Sequence, residues 1–391
     1  MNYNKTIFSC FTGYIVQAII NNFIPLLFIT LRSSYGIPLS RITLLITVNF
    51  GIQLLVDLLS AFFVDRIGYR VSIVAAHIFS AAGLVMLTFL PDITDPFIGI
   101  MISVAVYAVG GGLIEVLISP IMESCPTKNK EKAMSLLHSF YCWGQVGVVL
   151  ISTVFFRIAG IDNWRVLSVI WVIIPLINGI LFIKAPIAPL IADDEDGMKL
   201  SELFKSGTFM LLMLMMMCAG ASELAVSQWA SFFAENGLHI SKTAGDLAGP
   251  MAFALLMGSA RAFYGKYGDR IDLDKFMGAS AVLCTASYLV ISLVPVPAVN
   301  LVGCGICGLS VGIMWPGTFS KAAASLKRGG TMMFSLLALA GDIGCSAGPA
   351  LVGAVSDNSG SMKNGIFAAA VFPMLMLTGI LLMKKKKAAA S

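Results

Sequence analysis

The sequence predicts an all-α integral membrane protein of twelve spans, arranged as two six-helix halves. Three observations carry this. The chain is 58% hydrophobic and 12% charged, with a mean hydropathy of +0.88; a soluble chain has roughly 25% charged residues. Its apolar stretches run about 18–28 residues, enough to cross a hydrocarbon core about 30 Å thick at about 1.5 Å per residue. None shows the ~10-residue alternation of an outer-membrane barrel. Third, the chain repeats itself. The loop Val64-Asp-Arg-Ile-Gly-Tyr-Arg70 returns as Gly265-Lys-Tyr-Gly-Asp-Arg270, with Asp65 and Asp269 204 residues apart (269 − 65). Ser135-Leu-Leu137 returns as Ser335-Leu-Leu337, Gly144 as Gly344 and Gly112 as Gly312, all at a shift of 200. A loop and two helices matching in one order mark a duplicated half.

The elements follow in order. Helix 1 is expected over Ile7–Leu31, helix 2 over Ile42–Val64 and helix 3 over Val71–Leu90. Pro91-Asp-Ile-Thr-Asp-Pro96 makes the next turn. Helices 4, 5 and 6 are Phe97–Ser124, Ala133–Ala159 and Trp164–Lys184. The first run is too long for a signal-peptide core and lacks a small-residue cleavage site, so it stays as a helix. One long polar connection, residues 185–206, carries Asp193-Asp194-Glu195-Asp196 and several prolines; it reads as a cytoplasmic linker between halves 1–184 and 207–391. Helices 7–12 fall at Thr208–Ala234, Thr243–Tyr264, Phe276–Val294, Ala298–Ala323, Gly330–Val355 and Gly365–Met383.

Lysine and arginine set the topology. One side collects Lys5, Arg66, Arg70, Lys128, Lys130, Lys132, Lys184, Lys199, Lys205, Lys266, Arg270, Lys275, Lys321, Lys327, Arg328 and Lys384–Lys387. The other holds Arg32, Arg41, Arg157, Arg165, Lys242 and Lys363. The first side is therefore expected to be cytoplasmic, with both termini inside, in a cell (inner) membrane. The net charge of +5 follows from this bias and gives no reason to expect nucleic-acid binding.

The eight cysteines lie mostly inside apolar runs, where a thiol packs as a small hydrophobe. Cys304-Gly-Ile-Cys307 has redox spacing but no second pair, so packing is the reading. Gly341-Asp342 resembles part of an intramembrane aspartyl-protease motif, yet Leu339 replaces its first glycine and no partner Y-D exists. No Walker loop, H-E-x-x-H or dinucleotide fingerprint sits in an aqueous segment. An enzyme, a cofactor and a metal site are not expected.

Function should sit on polar groups placed in the membrane interior. An ionised acid at a helix centre costs roughly 2.5–3.5 kcal/mol on insertion scales, so it faces a cavity or a partner. Glu115, Glu223 and Asp342 lie near the middles of helices 4, 7 and 11, and Asp57 lies deep in helix 2. Three stripes share helix faces: Gln17 and Asn21 on helix 1, Asn49, Gln53 and Asp57 on helix 2, and His138, Tyr141 and Gln145 on helix 5. They either line a wet path or act as interhelical glue. Asn22 beside Asn21, and Gln228 beyond Glu223, extend the candidate solute contacts. Trp315 holds on helix 10 the position of Glu115 on helix 4; it either stacks on a solute or packs in the core beside Pro316. Arg261, one turn before the second loop, is expected to pair with an inner-end carboxylate. Asp65 and Asp269 are expected against helix N-termini and arginines of the opposite half, where an anion is favoured, locking the inner side shut.

Six plus six helices with a repeated inner D-R loop resemble the major facilitator superfamily, whose loop reads roughly G-x-x-x-D-R-x-G-R-R. Asp65, Arg66, Gly68 and Arg70 match, as do Gly265, Asp269 and Arg270; Ala61 and Tyr69 depart. The resemblance implies the major facilitator fold, with the two six-helix halves around a central cavity, and gating roles for Asp65, Arg66, Gly68, Arg70, Asp269 and Arg270. Gly110-Gly-Gly-Leu-Ile-Glu115 before Ser119-Pro120 resembles the fourth helix of the fucose–proton symporter family, and Leu137-His-Ser-Phe-Tyr-Cys-Trp-Gly144 resembles its fifth. This implies proton coupling at Glu115, alone or with His138. The chain departs at helix 1, where Asn21-Asn22 stand for an acid, and at His138 and Tyr141.

The expected activity is proton-coupled symport of a sugar or sugar-like neutral polar solute by alternating access, in a monomer, with a proton or a sodium ion as the coupled partner. The alternative is a drug or metabolite exporter of the same superfamily. Its helix 5 Gly-Pro signature is missing from Gly144–Ala159, though Gly344-Cys-Ser-Ala-Gly-Pro349 gives helix 11 something similar. A non-transporting membrane sensor is the third reading.

Overall fold

The computed structural model describes residues 3–37, 39–190, 197–228, 230 and 242–390. Among these the chain is helical and has no strand. The long helices are α1 Asn4–Leu26, α2 Leu39–Ile67, α3 Tyr69–Met86, α4 Pro96–Ser124, α5 Lys130–Ala159 and α6 Trp164–Lys184, then α7 Gly207–Ser227, α8 Lys242–Tyr267 and α9 Leu273–Leu293. In α10, Pro297–Val311 continues as Met314–Ser325; α11 is Gly330–Ser359; in α12, Met362–Ala369 continues as Val371–Ala390. Eleven of these twelve are long and apolar enough to cross a membrane. The other, α8, has 26 residues and carries Pro250 and Arg261. The acidic run of the linker and the expected end of helix 7 at Ala234 lie outside the described residues, Ala230 excepted.

The order and number of helices match the expectation, and the differences have local causes. Helix 1 does not run unbroken to Leu31. Pro25 sits in its last turn, α1 stops at Leu26, and a separate helix Phe28–Tyr35 ends at Gly36 with φ 64°. Proline has no N–H to give and its ring crowds the preceding turn. Helix 10 breaks for the same reason. Pro316 cannot donate to the Gly312 carbonyl four residues back, and the helix parts at Gly312 and Ile313. Gly68, at φ 90°, turns the chain from α2 into α3, a backbone conformation that side chains disfavour. The linker adds one short helix, Leu200–Lys205, and the amide of Met198 donates to the Arg328 carbonyl at 2.8 Å.

The chain divides into two compact units. The first is Met1–Pro126 with Trp143–Ala192, and the second is Thr127–Cys142 with Asp193–Ser391. Thus α5 gives its first turns to the second unit and the rest to the first.

Packing inside the units repeats with the sequence. A methyl group on Gly112 would meet the Val56 side chain at 2.8 Å and the Gln53 Cα at 3.1 Å. On Gly312 it would meet the Met257 carbonyl at 2.8 Å and Ala260 at 2.9 Å. Val56 and Ala260, like Gln53 and Met257, are 204 residues apart (260 − 56). Gly144 lies against Ile15 and Ala18 of α1, and Gly344 against Met217 of α7. In both copies small residues let helices approach closely, as membrane packing requires.

Two buried ties hold α3, α6 and α9. In the first unit the His77 ring bonds the Ile73 carbonyl at 2.7 Å and Asn178 at 2.8 Å, while Asn178 donates to the Ser9 carbonyl at 3.0 Å. This joins α1, α3 and α6. In the second, the Tyr288 hydroxyl on α9 donates to the Ser222 carbonyl on α7 at 2.8 Å. The cysteines are packed as expected: seven are buried, and Cys284 and Cys307 sit with sulfurs 4.0 Å apart.

Candidate functional site

The first unit gathers the helix 1, 2 and 4 candidates into one hydrogen-bonded chain. Gln17 Nε2 on α1 donates at 2.9 Å both to Glu115 on α4 and to Gln53 Oε1 on α2. Gln53 Nε2 and Asn49 Nδ2 then converge on Asn21 Oδ1 at 2.8 and 3.0 Å. Gln17, Asn49, Gln53 and Asp57 are buried. The approach is permitted by Gly111, where a methyl would sit 3.3 Å from Gln17 Oε1 and from Gln53 Cδ. One turn along, the Tyr14 hydroxyl meets the Ser119 hydroxyl at 3.0 Å. The stripes of α1 and α2 therefore face each other and α4. Asn22 does not join them: its amide folds back to the Ala18 carbonyl at 2.8 Å. An asparagine so placed satisfies itself within its own helix.

The second unit holds a different constellation around Arg261 on α8, which is 3% exposed and so needs nearly all its donors satisfied inside. Its Nε donates to the Gly312 carbonyl at 2.8 Å. Its Nη1 reaches the His138 carbonyl and the Cys142 sulfur, both at 3.1 Å. Its Nη2 pairs with Glu223 on α7 at 3.4 Å. The partner of Arg261 is thus a mid-helix acid and not an inner-end carboxylate as expected. Buried charges persist only when paired and hydrogen-bonded, and the carbonyl freed by Pro316 supplies one acceptor. The α5 register is also held by the Ser135 hydroxyl on the Arg261 carbonyl at 2.8 Å.

Around this node His138 stacks its ring near Phe319 at 5.8 Å, and Trp315 meets Phe319 edge-on at 6.3 Å. Trp315 is half-buried and covers Gly341, which has no side chain to hinder it. Tyr141 and Gln145 are half-buried on α5, whereas Gln228 is exposed at the C-cap of α7.

The two polar loops are built differently. Asp269 takes hydrogen bonds from Lys132 and from Asn129 (3.0 Å) at the start of α5. These hold the Asp269 carboxyl below the ordinary carboxylate range. The expected helix N-terminus is there, but the cation is a lysine and not an arginine. Nearby, Tyr264 donates to Glu131 at 2.8 Å and Lys321 pairs with Asp274. Arg70 instead caps the end of α6, donating to the Phe182 and Ile183 carbonyls at 2.9 and 2.6 Å. Asp65, Arg66 and Arg270 are exposed. At the far end of the first unit Arg165 joins Tyr35 and Asp92 at 2.6 and 2.7 Å.

Sequence reasoning missed Asn129, Lys132, Glu131 and Cys142 as partners. The repeat offered a signal it did not use. Asp57 and Arg261 are counterparts (261 − 57 gives the loop shift of 204), so one buried ionisable side chain marks the same place in each copy. The other counterparts diverge: at the loop shift of 204 Asn49 and Gln53 correspond to Phe253 and Met257, and at the shift of 200 Glu115 corresponds to Trp315. The amide chain belongs to the first unit alone.

Comparison with known proteins places these features in a group. Residues 7–349 match the family described as Major Facilitator Superfamily. The membrane protein MosC of Rhizobium meliloti is 22% identical over 345 residues, covering 87% of this chain and 81% of MosC. A crystal structure of the E. coli fucose:proton symporter FucP superposes with a TM-score of 0.82 at 16% identity, over 98% of this chain and 99% of that one. The proton:xylose symporter XylE superposes with a TM-score of 0.79 at 12% identity, over 97% and 95%.

Proposed function

We propose that this chain, which belongs to the Major Facilitator Superfamily and is a multi-pass membrane transporter of a small molecule, carries a sugar-like neutral polar solute inward together with a proton. The single observation behind the reading is the bond from Gln17 to Glu115 within a chain of four amides. Amides with both donors and acceptors suit hydroxyl groups, and a lone carboxyl among them suits a proton. Glu115 is the proton carrier in this reading, with His138 as the second candidate. Solute contacts come from Gln17, Asn21, Asn49 and Gln53, with Trp315, Tyr141, Gln145 and Glu223 on the other helices. Asp269 gates through its bonds to α5. Likeness to sugar:proton symporters supports the choice of solute class. The lysine and arginine bias supports an inner membrane with both termini cytoplasmic.

The test is uptake into vesicles of purified, reconstituted protein with an imposed pH gradient, across a panel of radiolabelled sugars and polyols. Accumulation that collapses with a protonophore is expected. Accumulation that follows a sodium gradient at constant pH would replace the proton. Outward movement of lipophilic drugs with no sugar uptake would overturn the reading in favour of an exporter.

A further inference from the structure

We infer that the charge on Glu115 sets the orientation of every amide linked to it, so that protonation of this one carboxyl reverses the hydrogen-bond polarity of the chain through Gln17, Gln53, Asn21 and Asn49. The inference rests on Glu115 being the proton site proposed above.

The argument is one of donors and acceptors. An ionised carboxylate only accepts, so Gln17 must turn its NH2 towards Glu115. The same nitrogen donates to Gln53 Oε1. Gln53 is thereby obliged to present its own nitrogen to Asn21 Oδ1, which also takes the bond from Asn49. Each link fixes the next. The orientation leaves the buried oxygens Gln17 Oε1 and Asn49 Oδ1 with no hydrogen-bond partner, and an unmade buried bond costs about 1–3 kcal/mol. The demand of the carboxylate on Gln17 holds this end of the chain this way round against that cost.

Add one proton from water to Glu115 and a single O–H bond forms. That O–H donates to Gln17 Oε1 once the amide plane turns over. Gln53 then donates to the same oxygen and offers Oε1 to Asn21, whose NH2 serves Gln53 and Asn49. No other covalent bond is made or broken, and the four hydrogen bonds of the chain re-form with donor and acceptor exchanged. Amide planes turn about broad, two-fold torsions, so the rotation needs no helix movement. The unpaired ends of the chain change from acceptors to donors. A hydroxyl group is both, and it is the solute group that suits either state.

Other titratable groups near this chain are few. Tyr14 on α1 is held by Ser119, His77 on α3 by Ile73 and Asn178, and Tyr107 and Glu123 lie elsewhere along α4. Cys10 lies two turns before Gln17 on α1. Asp57 on α2, one turn beyond Gln53, is a second buried carboxyl in the first unit, and Asp57→Asn is measured as its control.

The experiment is infrared difference spectroscopy on the full chain in lipid, titrated with pH, with carbon-13 in the side-chain amides of Gln and Asn. The expected result is a carboxyl band that Glu115→Gln removes and labelled amide bands that shift at the same midpoint. In Gln17→Met the carboxyl band still titrates and the amide shift is lost. If Gln17→Met does not fold, Gln53→Met (the residue of the second copy) keeps the Gln17 response and loses that of Asn21 and Asn49. Amide bands indifferent to pH, or shifting unchanged in the variant that folds, overturn the inference. Failure of proton-driven uptake with the amide shift intact would sink the transport reading and leave this one standing.

Discussion

Arg261 donates from Nε to the Gly312 carbonyl at 2.8 Å, the oxygen that Pro316 leaves without a helical donor. The break in α10 and the buried cation on α8 are therefore one feature. Removing the guanidinium strands that carbonyl and takes the buried cation from Glu223, while the His138 carbonyl keeps its place inside the unbroken α5 helix. Truncating one partner of a buried pair costs about 3–5 kcal/mol. Arg261→Ala should lower the thermal unfolding midpoint of the solubilised protein steeply. Glu223→Gln, losing only the 3.4 Å pair, should lower it less. Equal effects would contradict this arrangement.

Pro316→Ala restores an N–H that competes for the Gly312 carbonyl. It should close the break in α10 and free Arg261 Nε. Backbone amide exchange at residue 316 and a reduced midpoint would report it. No change in stability would mean that the carbonyl is not a significant acceptor for Arg261.

Glu115→Gln mimics the protonated acid. Solute exchange across the membrane should persist, whereas accumulation driven by a pH gradient should be lost. Retained accumulation would shift attention to Glu223 or His138.

Asp269 gives a pH dependence with a definite sign. Its carboxyl is held low by Lys132 and Asn129 in the folded chain, so the contribution is present above the unfolded carboxylate range near about 3.9 and fades as pH falls through the lower folded value. Asp269→Asn should lower the unfolding midpoint at neutral pH, and the gap to the natural chain should narrow in acid. A gap that widens in acid would reverse the assignment.

Close helix contact at Gly344 leaves no room for a methyl beside the Met217 backbone, while Gly51 has open space around it. Overpacking costs about 1–3 kcal/mol. Gly344→Ala should destabilise the protein, and Gly51→Ala should not.

Much of this was legible in the sequence because lipid makes the rules strict. Every span must be apolar and about 20 residues long, so the helices and their order can be read. The four-residue spacing of Asn49, Gln53 and Asp57 puts them on one face whatever that face meets. What spacing along one helix cannot say is which side chain on another helix lies opposite. For that reason Arg261 is expected beside an inner-end carboxylate and pairs with Glu223 instead, and the α6 carbonyls that Arg70 meets cannot be read from its loop. Asn22 looked identical to Asn21 in the string; one rotates towards α2 and the other folds onto Ala18. Pro25 and Pro316 were visible, but the outcome depended on whether anything nearby took up the freed carbonyl.

The glycine contacts have a meaning in time as well as in space. Gly112 and Gly312 meet matching partners in their respective copies, and Gly144 and Gly344 meet matching helices, α1 and α7, while Gln53 corresponds to Met257 and Glu115 to Trp315. Where backbones touch, the two copies agree; where side chains reach into the span, they do not. The duplication is written in the joints of this molecule, and its acid–amide chain is confined to one of the two copies.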